Sequence, residues 1–174
     1  MFGDAQIPSL RHRGGPLAFD TTAATRLLRD ASNVTLLKEL QADARISRAE
    51  LARRVGLSAP AVAERLARLT DAGIIIGYSV DLDPAALGYP TTVFVRIRPA
   101  PGQLSRVADV ISSTPQVVEC YRITGEDCFL VKMHVPAVDQ LPGVLDQLVI
   151  QAGTTTSVVL TTPVPRRPLP LPQE

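Results

Sequence analysis

Residues 47–73, SRAELARRVGLSAPAVAERLARLTDAG, place two helix-length patterns only three residues apart. Ser47 and Glu50 have the spacing of a capping box, in which each side chain satisfies an unpaired backbone donor at a helix start. Leu51 and Val55 lie one turn apart on an apolar face. Gly56 suits the left-handed position that closes a helix, where a Cβ is disfavoured. Ser58 can cap the next helix, and Pro60 is tolerated in its first turn because no helical donor is lost there. Ala59, Val62, Leu66 and Leu69 recur as a single stripe, which the spacing predicts to be buried. Ala61, Glu64, Arg65 and Arg68 fall on another flank, and Gly73 ends the pattern. Two helices about a tight glycine-containing turn make a helix-turn-helix, a motif whose second helix enters the DNA major groove.

Charge supports that reading locally and not globally. The chain as a whole carries +1, so bulk attraction to a polyanion is not available. Between Arg45 and Arg68, however, six arginines stand against two glutamates. The competing reading is an arginine-rich solvated surface on two ordinary helices.

At 174 residues, with 45% apolar and 20% charged residues, the chain has room for one domain or two small ones. No apolar run is long enough to span a bilayer and no signal segment stands at the N-terminus, so a cytoplasmic location is expected. Cys120 and Cys128 are too few for a disulfide framework and are expected as buried free thiols on neighbouring strands. With His12 and His134 they form no metal-ligand spacing. No phosphate-cradling glycine loop is present, and no nucleophile with a paired base can be assembled. Neither catalysis nor a cofactor is expected.

Residues 1–26, with Gly14-Gly15-Pro16, read as a flexible arm whose RHRGG run could touch phosphates. Residues 27–80 form the helix-turn-helix unit, opened by a helix that Asp30 caps and that carries Leu36, Leu37 and Leu40 inward. The run IIIGYSVDLDP is β-prone and predicts a strand pair or short wing. Residues 81–91, with Pro84, Gly88 and Pro90, form a connector. Residues 92–164 then alternate as strand, helix, strand, strand, helix, strand. This βαββαβ order is that of ferredoxin-like folds, so the fold class is α+β. One sheet face is left uncovered and carries apolar residues, which predicts a homodimer through this half. Residues 165–174 are a proline-rich extended tail.

A capped helix-turn-helix, a connector and a βαββαβ domain together resemble the Lrp/AsnC, or feast/famine, family of regulators. The resemblance covers about Asp30–Val164. Its most specific stretches are DASNVTLLKELQADARISRAELARRVGLSAPAVAERLARLTDAGIIIGY and RITGEDCFLVKMHV. It implies pairing through the C-terminal domain, assembly to tetramers or octamers, and an amino acid or related metabolite that alters assembly or DNA affinity. By position, Gly125, Glu126 and Asp127 would line the effector pocket, with Thr154, Thr155 and Thr156 as contributors. Many relatives carry an aspartate where this chain has Cys128, which shifts recognition of an ammonium group to Asp127 or Glu126.

On the DNA side, the amides near Ser58 would meet a phosphate at the helix N-terminus. Ala59, Pro60 and Ala61 offer apolar contact, and Arg65 and Arg68 carry most polar contact. Arg48 and Arg54 grip the backbone. Glu64 either accepts from cytosine or holds Arg68 four residues on, and the second is favoured. The expected function is therefore sequence-selective, effector-modulated DNA binding that controls transcription. A low-specificity nucleoid protein without an effector is the alternative, and the near-neutral charge argues mildly against it, since such proteins rely on broad positive surface. An amino-acid sensor domain attached to metabolism is the third reading.

Overall fold

The computed structural model describes residues 21–149 and 152–172. The chain divides into two compact units, one holding the residues up to Val80 together with those from Arg166, the other Asp81–Pro165.

The first unit is helical: α1 (Thr21–Leu28), α2 (Ala31–Ala42), α3 (Arg48–Val55) and α4 (Ala59–Asp71). Three short polar side chains start three of these helices. Asp30 accepts from the Ser32 amide, Ser47 from the Glu50 amide, and Ser58 from the Ala61 amide. Each such cap is worth about 1 kcal/mol over alanine. Gly56 closes α3 with φ of +67°, which lets the chain reverse into α4 within three residues. Leu36, Leu51, Ala52 and Val62 form the core, with Leu40, Ile46, Val55, Leu57 and Leu66 packed around them. Each fully buried Leu or Val here stabilises by roughly 1.5–3 kcal/mol relative to exposure.

Several expectations are corrected in this unit. Part of the segment read as a flexible arm, from Thr21, is helical; RHRGG lies outside the described residues. The run from Ile74 to Pro90 forms no strand. Ile76, Tyr78, Val80 and Leu82, every second residue, are exposed instead. Alternation gives β-propensity, but a ladder also needs a second backbone, and this run pairs with none among the described residues. The capping box is half formed, because the Glu50 carboxylate is drawn to Arg53 and Arg54 rather than back to Ser47. On α4, burial begins at Val62, and Ala59 is exposed. The described part of the tail forms neither helix nor strand, and the Leu169 carbonyl accepts from Gln41 Nε2 at 3.2 Å.

The second unit runs β1 (Thr91–Pro99), α5 (Leu104–Ser113), β2 (Val117–Arg122), β3 (Phe129–Val135), one 3-10 turn (Val138–Gln140), α6 (Leu141–Val149) and β4 (Ala152–Val158). The sheet order is β2-β3-β1-β4, with every neighbouring pair antiparallel. Val93, Val95 and Ile97 of β1 join Phe129, Val131, Met133 and Val135 of β3 in a core with Val107, Ile111 and Leu141 of the helices. Strand alternation sends Thr92, Phe94, Arg96 and Arg98 to the other face, beside Leu130, Lys132 and His134. The two cysteines are free but not buried: Cys120 is exposed and Cys128 half-buried. Cys120 stands on β2, an edge strand, so only one side of it is covered by a neighbour.

Candidate nucleic-acid interface and effector hairpin

The flank of α4 predicted to meet DNA is built unevenly. Ser58, Ala59 and Pro60 are exposed and Ala61 is half-buried, so the capped first turn presents its surface to solvent. Glu64 and Arg68 are both exposed and bonded to each other at 2.5 Å, four residues apart on one helix. In this structure Glu64 holds Arg68. An exposed pair of this kind contributes only about 0.3–0.5 kcal/mol, so Arg68 is free to exchange its partner.

Arg65 stands differently. Its side chain is 28% exposed, and its Nη1 donates to Asp30 Oδ2 at 2.5 Å and to Asn33 Oδ1 at 2.8 Å. The Arg65 hydrogen bond is the leading cause holding the Asp30 carboxyl below its usual range. Sequence spacing could not show this, because the partners lie 35 and 32 residues away.

On α3, Arg48 is exposed and makes no ion pair among the described residues. Arg54 is tied to Glu39 of α2 and to Glu50, each at 2.8 Å. Arg53 and Arg54 together hold the Glu50 carboxyl down to about 2, through hydrogen bonds first and charge second. A carboxyl depressed in this way favours the fold above its ordinary range and loses that contribution as pH falls from about 4.5 towards 2.

The hairpin between β2 and β3 closes where the Ile123 amide donates to the Cys128 carbonyl at 3.1 Å. Gly125 has φ of +109°, in the region that favours glycine, with no atom within 4 Å of where a Cβ would stand. Asp127 is 23% exposed, and its carboxylate lies 3.5 Å from Arg98 Nε and 3.9 Å from Arg96 Nε. Glu126 is largely exposed and meets Arg98 Nη2 at 2.6 Å. The three threonines divide. Thr155 pairs with Arg96 across β1 and shares its face, whereas Thr154 and Thr156 pair with Ile97 and Val95 on the face towards the helices. Strand periodicity of two therefore prevents all three from lining one pocket. Arg96 and Arg98 were the residues that sequence reasoning missed. Their alternation on β1 was visible, but their meeting with the hairpin depends on the β1–β3 register.

The chain thus carries a helix-turn-helix in one unit and, in the other, two strand arginines paired with two hairpin carboxylates. Two family descriptions match: winged helix-turn-helix DNA-binding over residues 29–76, and the Lrp/AsnC ligand binding domain over residues 92–169. The chain is 30% identical over 132 residues to the transcriptional regulator LrpC of Bacillus subtilis, spanning 76% of this chain and 92% of that protein. The structure of B. subtilis LrpC superposes with a TM-score of 0.74 at 28% identity, covering 79% of this chain and 98% of that one. E. coli AsnC gives 0.72 at 30% identity, over 79% and 95%. A Neisseria meningitidis transcriptional regulator, in complex with L-methionine, gives 0.74 at 28% identity, over 82% and 96%. The chain belongs to the Lrp/AsnC family of transcriptional regulators. That family consists of DNA-binding regulators and not enzymes. Among the described residues, no helix is long and apolar enough to cross a membrane.

Proposed function

We propose that this chain reads duplex DNA with the first turns of α4 and couples that binding to an amino acid held at the β2–β3 hairpin. The observation that carries the coupling half is the gathering of Arg96, Arg98, Glu126 and Asp127 at the hairpin end of the sheet. Both signs of charge lie within reach there, as a zwitterion requires: guanidinium for the carboxylate, carboxylate for the ammonium. Thr155, beside Arg96, adds a hydroxyl on the same face, and Gly125 keeps the hairpin tip open. The methionine complex of the Neisseria relative supports an amino acid as the ligand class.

In the DNA half, Ser58 and the amides it leaves at the start of α4 receive a phosphate. Ala59, Pro60 and Ala61 make apolar contact in the groove, while Arg48, Arg54 and Arg68 grip the backbone. Such a surface holds few base-reading groups, so selectivity comes largely from DNA shape and from several dimers binding together. The partly apolar sheet face with Phe94, Leu130 and His134 pairs with a second copy, and dimers build tetramers or octamers. The work is done on the chromosome, in the cytoplasm.

The test follows particle mass by light scattering and the anisotropy of a bound duplex, while each of the twenty amino acids is titrated in. The expected result is at least a dimer at micromolar concentration, and one or more amino acids that change mass or DNA affinity by threefold or more. A monomer would overturn the assembly, and indifference to all twenty would overturn the effector.

A further inference from the structure

α4 is joined to its unit by apolar burial at Val62 and Leu69 and, among the described residues, by one polar junction. In that junction Arg65 Nη1 is shared between Asp30 Oδ2 and Asn33 Oδ1. Asn33, only 2% exposed, donates its Nδ2 to the Leu27 carbonyl at 2.9 Å in the last turn of α1. Asp30 spends its other oxygen on the Ser32 amide at 2.9 Å, capping α2. One guanidinium, one carboxylate and one buried amide thus connect the end of α1, the start of α2 and the middle of α4. Arg68, one turn further on, has among the described residues only its exposed helix neighbour Glu64. The two arginines that sequence reasoning treated alike are in different physical situations.

We propose that Arg65, Asp30 and Asn33 form a clasp that sets the angle at which α4 is offered to DNA, making Arg65 a positioning residue and not a contact. This rests on the reading of α4 as the groove helix. The chemistry favours a clasp because the carboxylate and the amide oxygen both accept from the same nitrogen, which fixes the guanidinium in one place. Withdrawing it towards a phosphate would leave Asn33 with a buried, unmatched oxygen and Asp30 without its counter-ion.

The two roles predict opposite signs for one substitution. Asp30→Ser keeps a capping hydroxyl for α2 but is too short to reach Arg65. If Asp30 merely held a phosphate-binding arginine in reserve, this change would free it, remove a negative charge and tighten DNA binding. If the clasp orients α4, binding weakens despite the more favourable charge. The slope of affinity against salt separates the roles again, since each lost phosphate contact reduces it by about 0.9.

The experiment uses the full chain and a fluorescent duplex enriched by the wild-type protein from a randomised pool. Affinity is measured from 50 to 200 mM salt, at a temperature where circular dichroism shows every variant folded. The expected result is that Asp30→Ser and Arg65→Ala each weaken binding about tenfold, comparable to losing the fit to one base pair. The salt slope stays unchanged, the double variant is no worse than either single one, and Arg65→Lys recovers most of the loss. Tighter binding by Asp30→Ser, or a reduced slope for Arg65→Ala, would overturn the clasp in favour of direct contact. Wild-type affinity in both variants, with only a lower melting temperature, would reduce it to a structural brace. Failure of the wild-type protein to enrich any duplex would overturn the groove reading, and this proposal with it.

Discussion

Replacing Arg48 and Arg68 together by alanine lowers the affinity of the full chain for duplex DNA by about two orders of magnitude or more at 0.1 M salt. Neither side chain is committed to the fold. Among the described residues, Arg48 is exposed without an ion pair and Arg68 is paired only with exposed Glu64 on its own helix. Their removal leaves the buried set of Leu36, Leu51, Ala52 and Val62 untouched. Stability therefore stays within roughly 0.5 kcal/mol, as for other surface substitutions. Two phosphate contacts are lost per protomer and four per dimer, so the salt slope falls by roughly 3 to 4. Anisotropy across a salt series reads both quantities. Unchanged affinity with an unchanged slope would remove these arginines from the interface.

Asp127→Ala weakens amino-acid binding at least about thirtyfold, the lower range for truncating one member of a hydrogen-bonded charge pair. The Asp127 carboxylate is the only one of the hairpin's two that lies within 4 Å of both strand arginines. It is also the more enclosed, at 23% exposure against 82% for Glu126. Its loss leaves Arg96 and Arg98 half in water, so the sheet does not unfold around an unpaired charge. Isothermal titration with the amino acid that binds the wild-type protein best measures the effect. Equal loss from Glu126→Ala, with Asp127→Ala neutral, would reassign the ammonium partner.

What was legible in the sequence was what local chemistry decides. Asp30, Ser47 and Ser58 start helices because each offers a short oxygen to an amide two or three residues on. Gly56 closes α3 because its backbone is left-handed. The alternation of Val93, Val95 and Ile97 puts one face of β1 in the core, and the βαββαβ order follows from such runs. What was hidden depends on distant pairing. The commitment of Arg65 to Asp30 and Asn33, and the meeting of Arg96 and Arg98 with Asp127, are products of tertiary register. The division of Thr154 and Thr156 from Thr155 needed only the strand period, once the strand's extent was known. The β-prone run after Gly73 shows the converse limit: propensity without a partner backbone yields an exposed segment that forms no strand.

The most direct measurement is selection of duplexes from a randomised pool by the 174-residue chain, followed by anisotropy of the enriched sequence against the starting pool, with and without the amino acid it binds. A groove-reading α4 coupled to the hairpin predicts that the enriched duplex binds at least about tenfold more tightly than the pool, one to two base pairs' worth of discrimination, and that the amino acid changes this affinity. Equal binding to the enriched and starting duplexes, insensitive to the amino acid, would contradict the account.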